Sequence, residues 1–342
     1  MLSYLIKNKK LKWDSYTFGN DNSPDSYIAK NIASNLGINH EQINISFSTS
    51  DDCLDRIKNY VSQTLVNNPA SGFLQLRNYD TLVNRNEIII DGGFGEIWRR
   101  EFFNRLLVRG KDSLENNKIK GIMNHLISHR ADIFNSEIQK EMLEGCYEQL
   151  DNIIKELPGV NEIGKENWTD LFAIKTRLTN YYSHEQARLD ELVLNYMPFA
   201  QPLLLEKLMN LKLMQRRNGR LFREIIKNNY KPLIKYPLAK GLITHPFWFN
   251  TIQSRVWNIF RKKIKWKIYN DYNLNNLINL LTPFIQDTIH SQNTRECNYY
   301  DYSKIIKLSD SLLKKDVSSK EISELNWWLA FELFRASIKL KL

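Results

Sequence analysis

Residues 88–96 read I-I-I-D-G-G-F-G-E and run directly into Ile97-Trp98-Arg99-Arg100. Three consecutive isoleucines predict a buried parallel strand, covered on both faces, where apolar and polar residues need not alternate. Gly92, Gly93 and Gly95 let the backbone turn sharply after it and approach another group closely. Asp91 and Glu96 then stand at the carboxyl end of the strand, the edge at which open α/β sheets receive ligands. Hard carboxylate oxygens beside such a turn suit Mg²⁺ carried on nucleotide phosphates. The same residues also fit a ligand-free strand-to-helix turn in which Asp91 acts as a helix cap.

The chain has 342 residues, enough for two cores or one large one. Its 42% apolar and 25% charged residues fit an ordinary soluble globular protein. No run approaches the apolar length of a membrane span, and Met1-Leu2-Ser3-Tyr4 does not open a signal peptide. Cys53, Cys146 and Cys297 are odd in number and far apart, which indicates neither a disulfide framework nor a zinc site. The expected location is a reducing cytoplasm, without a membrane partner.

The net charge of +10 reads as diffuse, with its densest patch from Arg255 to Lys267. There Arg261, Lys262, Lys263, Lys265 and Lys267 alternate with Trp257, Phe260 and Trp266. Such a mixture can bind nucleic acid or an anionic membrane surface. Its apolar residues also recur at helical spacing, so a solvated basic face on a packed helix is the favoured reading and nucleic acid is not expected as a partner.

Before residue 110, strand-like and helix-like segments alternate. Residues 13–18, 42–47 and 87–91 read as strands; 24–36 and a segment opening on Asp51-Asp52 read as helices, the latter broken by Asn67-Asn68-Pro69. This β-α-β-α-β rhythm predicts parallel strands of one sheet with helical crossovers. Beyond it the pattern is helical, with amphipathic runs at 113–128, 135–156, 168–195 and 202–212. Further helices are expected at 218–230, 250–270, 273–290, 302–314 and 319–339. The organisation expected is a partial nucleotide-binding α/β core over residues 1–110 and a helical remainder over 111–342, packed on the core.

Several segments together bear a resemblance. Ser15-Tyr16-Thr17-Phe18-Gly19, Ser23-Pro24-Asp25, Ala29, Leu36-Gly37 and His40 resemble the second strand and helix of the synthetase domain of glutamine-dependent asparagine synthetases. The D-G-G-F-G-E stretch lies where that family has G-(D/E)-G-(G/S)-D-E. Met197-Pro198-Phe199 is similar to its V-P-F-L-D segment, and Leu238-Ala239-Lys240-Gly241 to the end of its R-x-K-x-x-F loop. Trp327-Trp328 and Phe334-Arg335 match its aromatic-rich final helix.

The resemblance implies an adenine nucleotide alpha-hydrolase-like parallel-sheet core and ATP pyrophosphatase-type chemistry. A carboxylate attacks the α-phosphate of Mg-ATP to give an acyl-adenylate and pyrophosphate, and an amine or ammonia, which a separate donor can supply, displaces AMP. By position, Asp91 and Glu96 would be the metal-side carboxylates and Lys240 the catalytic pyrophosphate contact. The backbone of Phe18 and Gly19 would border the adenine, with Asp91, Gly92 and Gly93 on the nucleotide.

The departures are as specific. The family's phosphate loop, S-G-G-x-D-S, occurs nowhere in the chain. Leu2–Lys7 reads as the tail of the helix that follows that loop, so the core is expected to lack its first strand. Phe94 is inserted among the glycines, Gly95 replaces one carboxylate of the family's D-E pair, and Gln201 stands at the aspartate of V-P-F-L-D. The chain alone is accordingly expected not to adenylate. The alternatives are an inactive remnant or misassigned start of such an enzyme, and a non-catalytic basic protein binding nucleic acid.

Overall fold

A computed structural model describes residues 2–8, 12–19, 23–44, 49–85, 87–128, 130–240, 243–264, 273–312 and 317–339. In chain order the elements that matter are Leu2–Lys7 (α1), Ser15–Phe18 (β1), Pro24–Leu36 (α2), His40–Ile43 (β2), Ser50–Gln63 (α3), Ile88–Ile90 (β3), Ser136–Lys155 (α4), Lys165–Ala173 (α5), Ser183–Asp190 (α6), Leu194–Tyr196 (β4), Arg220–Asn229 (α7), Leu238–Lys240 (β5), Ile243–His245 (β6), Thr251–Lys263 (α8), Asn273–His290 (α9), Tyr302–Leu312 (α10) and Ser319–Lys339 (α11). Helix dominates, and no described helix is long and apolar enough to cross a membrane.

Two compact units form, neither of them contiguous in sequence. One gathers Met1–Ser46, Ile90–Glu101 and Met197–Asp271; the other gathers Phe47–Ile89, Phe102–Tyr196 and Tyr272–Leu342.

In the first unit, β1 and β2 pair in parallel, Ser15 opposite His40 through Phe18 opposite Ile43. The crossover between them is α2. Ser23 caps it by accepting the Ser26 N–H at 3.1 Å, Pro24 opens it, and Gly37 closes it in the left-handed region at φ 61°. β5 and β6 form an antiparallel ribbon against which α8 packs.

Among the described residues, both large apolar clusters lie in the second unit. α3 is capped by Thr49, carries Asp51 and Asp52 in its first turn, and buries Cys53, Leu54, Ile57, Tyr60 and Val61 along one face. They meet Leu277, Leu281 and Ile285 of α9 and Leu325, Trp328 and Leu329 of α11. The aromatic pair expected near the end of the chain is divided in role. Trp328 is buried in this core, while the Trp327 ring receives the Arg130 guanidinium at 4.2 Å. A smaller cluster joins Leu106, Leu114 and Ile122 to Trp168 and Phe172, whose rings stack at 5.1 Å.

The structure departs from the expected three-stranded parallel sheet. β3 does not join β1 and β2; it pairs with β4 in a separate two-stranded sheet. Nor is it buried: Ile88 and Ile90 are 67% and 49% exposed, because a two-stranded ladder has no second layer over its outer face. Strands also occur beyond residue 110, at β4, β5 and β6, where wholly helical structure is expected. Each is three residues long, too short for a period of two to register in sequence. The last residues of the predicted 42–47 strand and of the 250–270 helix lie outside the described residues.

Candidate functional site

A polar cavity of about 530 Å³ lies within the first unit, in the size range of small-molecule sites. Its floor is the glycine turn. The Asp91 carboxylate accepts the Gly93 N–H at 2.9 Å, and Phe94 passes through the left-handed region at φ 61° before a 3₁₀ turn over Gly95–Arg99. Gly93 and Gly95 answer to close packing, whereas Gly92 has open space beside it. A Cβ on Gly93 would lie 2.8 Å from the Met197 sulfur, and one on Gly95 would lie 3.3 Å from the Phe199 ring. The D-G-G-F-G-E turn is therefore shaped to receive Met197-Pro198-Phe199. Trp98 completes the contact, its ring centroid 5.9 Å from that of Phe199.

The facing wall is the start of α7. Asn218 and Gly219 both adopt positive φ, 57° and 65°, and deliver the chain into a helix that has no side-chain N-cap. Amide groups of that first turn and the helix dipole then add positive potential at this end. Phe222, Arg223 and Ile226 follow on the cavity-facing side. Arg223 is held by donating to the Phe249 carbonyl at 2.8 Å and to the Asn218 carbonyl. Burial lowers its pKa, yet a guanidinium stays charged at physiological pH. Arg99 lies between Glu96 and Glu101 at 3.8 Å from each carboxylate, a loose and half-exposed arrangement.

A second cavity of about 520 Å³ adjoins the first, sharing Phe199, Phe222, Leu238 and Phe247 with it. It is more apolar and is bounded by β1 and the inner face of α2. His40 starts β2 with Nδ1 2.9 Å from the Ser15 hydroxyl, and burial first, then Lys30, lowers its pKa. Asp25 also lines this cavity, with its pKa raised by burial.

The residues expected from sequence fall as follows. Gly92 and Glu96 line the polar cavity; Asp91 and Gly93 do not, the Asp91 carboxylate being turned onto its own loop. Lys240 ends β5, whose Leu238 and Ala239 line both cavities; its side chain and Gly241 lie outside the described residues. Phe18 ends β1 and lines neither cavity. The Gly19 backbone is taken up locally, its N–H donating to Ile43 at 2.9 Å and its carbonyl accepting from Gln42 at 2.5 Å. Lys265, Trp266 and Lys267 of the basic patch are outside the described residues.

For a divalent cation, the carboxylates that face the cavity are Glu96 and Glu101, with Arg99 between them. Among the described residues no cluster of three or more His, Cys, Asp or Glu side chains forms a cage. This donor set fits a cation that brings most of its ligands with it, as Mg²⁺ on phosphates does. Arg99, Arg223 and the Asn218-Gly219 turn were not singled out from sequence. Only the turn left a signal there, the Asn-Gly dipeptide.

No family model, no curated protein and no solved structure matches the chain.

Proposed function

We propose that the first unit binds an adenine nucleotide across its two adjoining cavities, in the manner of the ATP-dependent amide-forming enzymes that the sequence resembles. The observation that carries the reading is convergence. Gly92, Gly95 and Glu96, Phe199, and Leu238-Ala239, far apart in the chain and each selected by the resemblance, line one cavity. The apolar compartment suits a base, and the polar one suits phosphates.

In the reaction proposed, a substrate carboxylate oxygen attacks the α-phosphorus and pyrophosphate departs. An amine nitrogen then attacks the acyl carbon, AMP leaves with the bond electrons, and the nitrogen gives up a proton to water. Charge accumulates on the departing pyrophosphate, so fixed positive groups lower the barrier. With no S-G-G-x-D-S in the sequence, this chain offers Arg99, Arg223 and the first-turn amides of α7, with Lys240 by the resemblance, as groups to hold the phosphates without sustaining turnover. Mg²⁺, when bound, would neutralise phosphate charge beside Glu96 and Glu101.

The test separates binding from chemistry. Titration calorimetry with Mg-ATP should detect binding that weakens about tenfold or more in Arg223→Met, the loss expected for a charged hydrogen bond. Lys240→Ala should weaken it similarly. Pyrophosphate release by the 342-residue chain, across candidate carboxylates and amines, is expected to be absent. ATP binding that neither substitution alters would remove the nucleotide from this cavity.

A further inference from the structure

Residues 225–270 contain ten Lys or Arg and no Asp or Glu, which equals the net charge of the entire chain. The charge that reads as diffuse is therefore concentrated in one segment, and the described part of that segment ends in α8. One face of α8 is anchored. Ser254 and Arg261 are buried, Trp257 Nε1 and Arg261 Nη1 each donate to the Thr244 carbonyl at 3.1 Å, and Phe249 meets the Trp257 ring edge-on at 5.8 Å.

The opposite face is apolar and bare. Ile252, Val256 and Ile259 follow one another at i, i+4 and i+7 and are 72%, 61% and 59% exposed. Phe260 beside them, Ile264 after them and Trp248 in the preceding loop are also exposed. Arg255 and Lys262, seven residues apart, run along one flank of the stripe, and Lys263 stands at its end; all three are exposed.

We propose that this face of α8, with Trp248, docks on an anionic phospholipid surface. Three features select that occupant. The stripe is chiefly aliphatic, and Ile and Val pack on acyl chains, whereas single-stranded nucleic acid is held by aromatic stacking. A second copy of the helix would bring Arg255, Lys262 and Lys263 against their like. Because the far side of α8 is fixed to β6, the helix offers one face to a flat surface and cannot be wrapped by a groove. Apolar residues beneath a cationic flank, with an aromatic ring nearby, are the composition of an interfacial helix.

The full chain should co-sediment with equimolar phosphatidylcholine–phosphatidylserine vesicles and not with phosphatidylcholine vesicles alone. Ile252→Ser with Ile259→Ser, and separately Lys262→Glu with Lys263→Glu, should each reduce that binding by roughly tenfold or more. Their circular dichroism melts should be unchanged, since all four side chains are exposed. No sedimentation, or equal sedimentation of parent and variants, overturns the proposal. So does a dimer in analytical ultracentrifugation, or binding to an oligonucleotide, that the same substitutions abolish while vesicle binding persists.

Discussion

At the scale of single residues, the second unit is organised around two buried polar groups that sequence patterning does not announce. Arg188 is 1% exposed, donates to the carbonyls of Tyr60 and Leu65 and to Asn67, pairs with Glu185, and lies 4.1 Å from the Tyr60 ring centre. Tyr60 is thereby pinned, which makes Gly72 irreplaceable: a Cβ there would stand 2.2 Å from the Tyr60 hydroxyl oxygen. Gly72→Ala should cost about 1–3 kcal/mol in urea denaturation, as overpacking does when the neighbour cannot yield. Tyr300 is the second such group, donating to Glu332 at 2.6 Å beside Arg335. Burial first, and then Glu185 or Glu332, holds both phenols well above the usual tyrosine range. Below about pH 10 folded and unfolded chains keep these protons alike, and stability is unaffected. Above it the unfolded chain releases protons that the folded chain retains, so stability falls, by about 1.4 kcal/mol per pH unit for each tyrosine. Urea midpoints between about pH 9 and about pH 11 should record that fall, and Tyr300→Phe should make it shallower.

At the scale of elements, helices were legible wherever caps and periodicity agreed. Ser23-Pro24 with Gly37 defines α2, Thr49 with Asp51-Asp52 defines α3, and Asn135 starts α4 by accepting the Ile138 N–H at 2.9 Å. α8 carries a full capping box: Asn250 accepts from Ile252 and Gln253, both at 2.9 Å, and Gln253 returns to the Asn250 N–H at 3.0 Å. Asn250→Ala should cost about 1 kcal/mol, read as a lower urea midpoint with the slope unchanged. The strands were less legible, for a reason of length and context. A run such as Ile88-Ile89-Ile90 states that a strand forms, but its partner and its burial are set by what lies across the ladder. Here that is Leu194-Asn195-Tyr196, a segment otherwise read as the end of a helix.

At the scale of the molecule, both large apolar clusters belong to the second unit, among the described residues, while the cavities belong to the first. Local stability follows buried apolar contact, and ligand sites are drawn from the less stable regions. Amide hydrogen exchange should therefore be slowest in α3, α9 and α11 and faster in β1, α2 and β2. Saturating Mg-ATP should slow exchange over residues 92–101, 219–226 and 238–240 while leaving α9 and α11 unchanged, as linkage to a ligand of the folded first unit requires. Uniform protection, or protection confined to the second unit, would place the nucleotide elsewhere.

What the sequence determined by itself is local: the caps, the helical faces, the parallel β1–α2–β2 crossover, and the glycine turn with a carboxylate on each side. These depend on side chains within a few residues of one another, where backbone sterics and hydrogen bonding act directly. What only the tertiary structure decided is non-local. Two discontinuous sets of segments make the two units, β3 finds β4 rather than β1, and Arg99 and Arg223 enter one cavity with Glu96. Asp91 turns back onto the Gly93 amide, and an apolar stripe on α8 is left facing outward. Periodicity states that a face is apolar, but whether anything covers it depends on packing between segments that share no sequence neighbourhood.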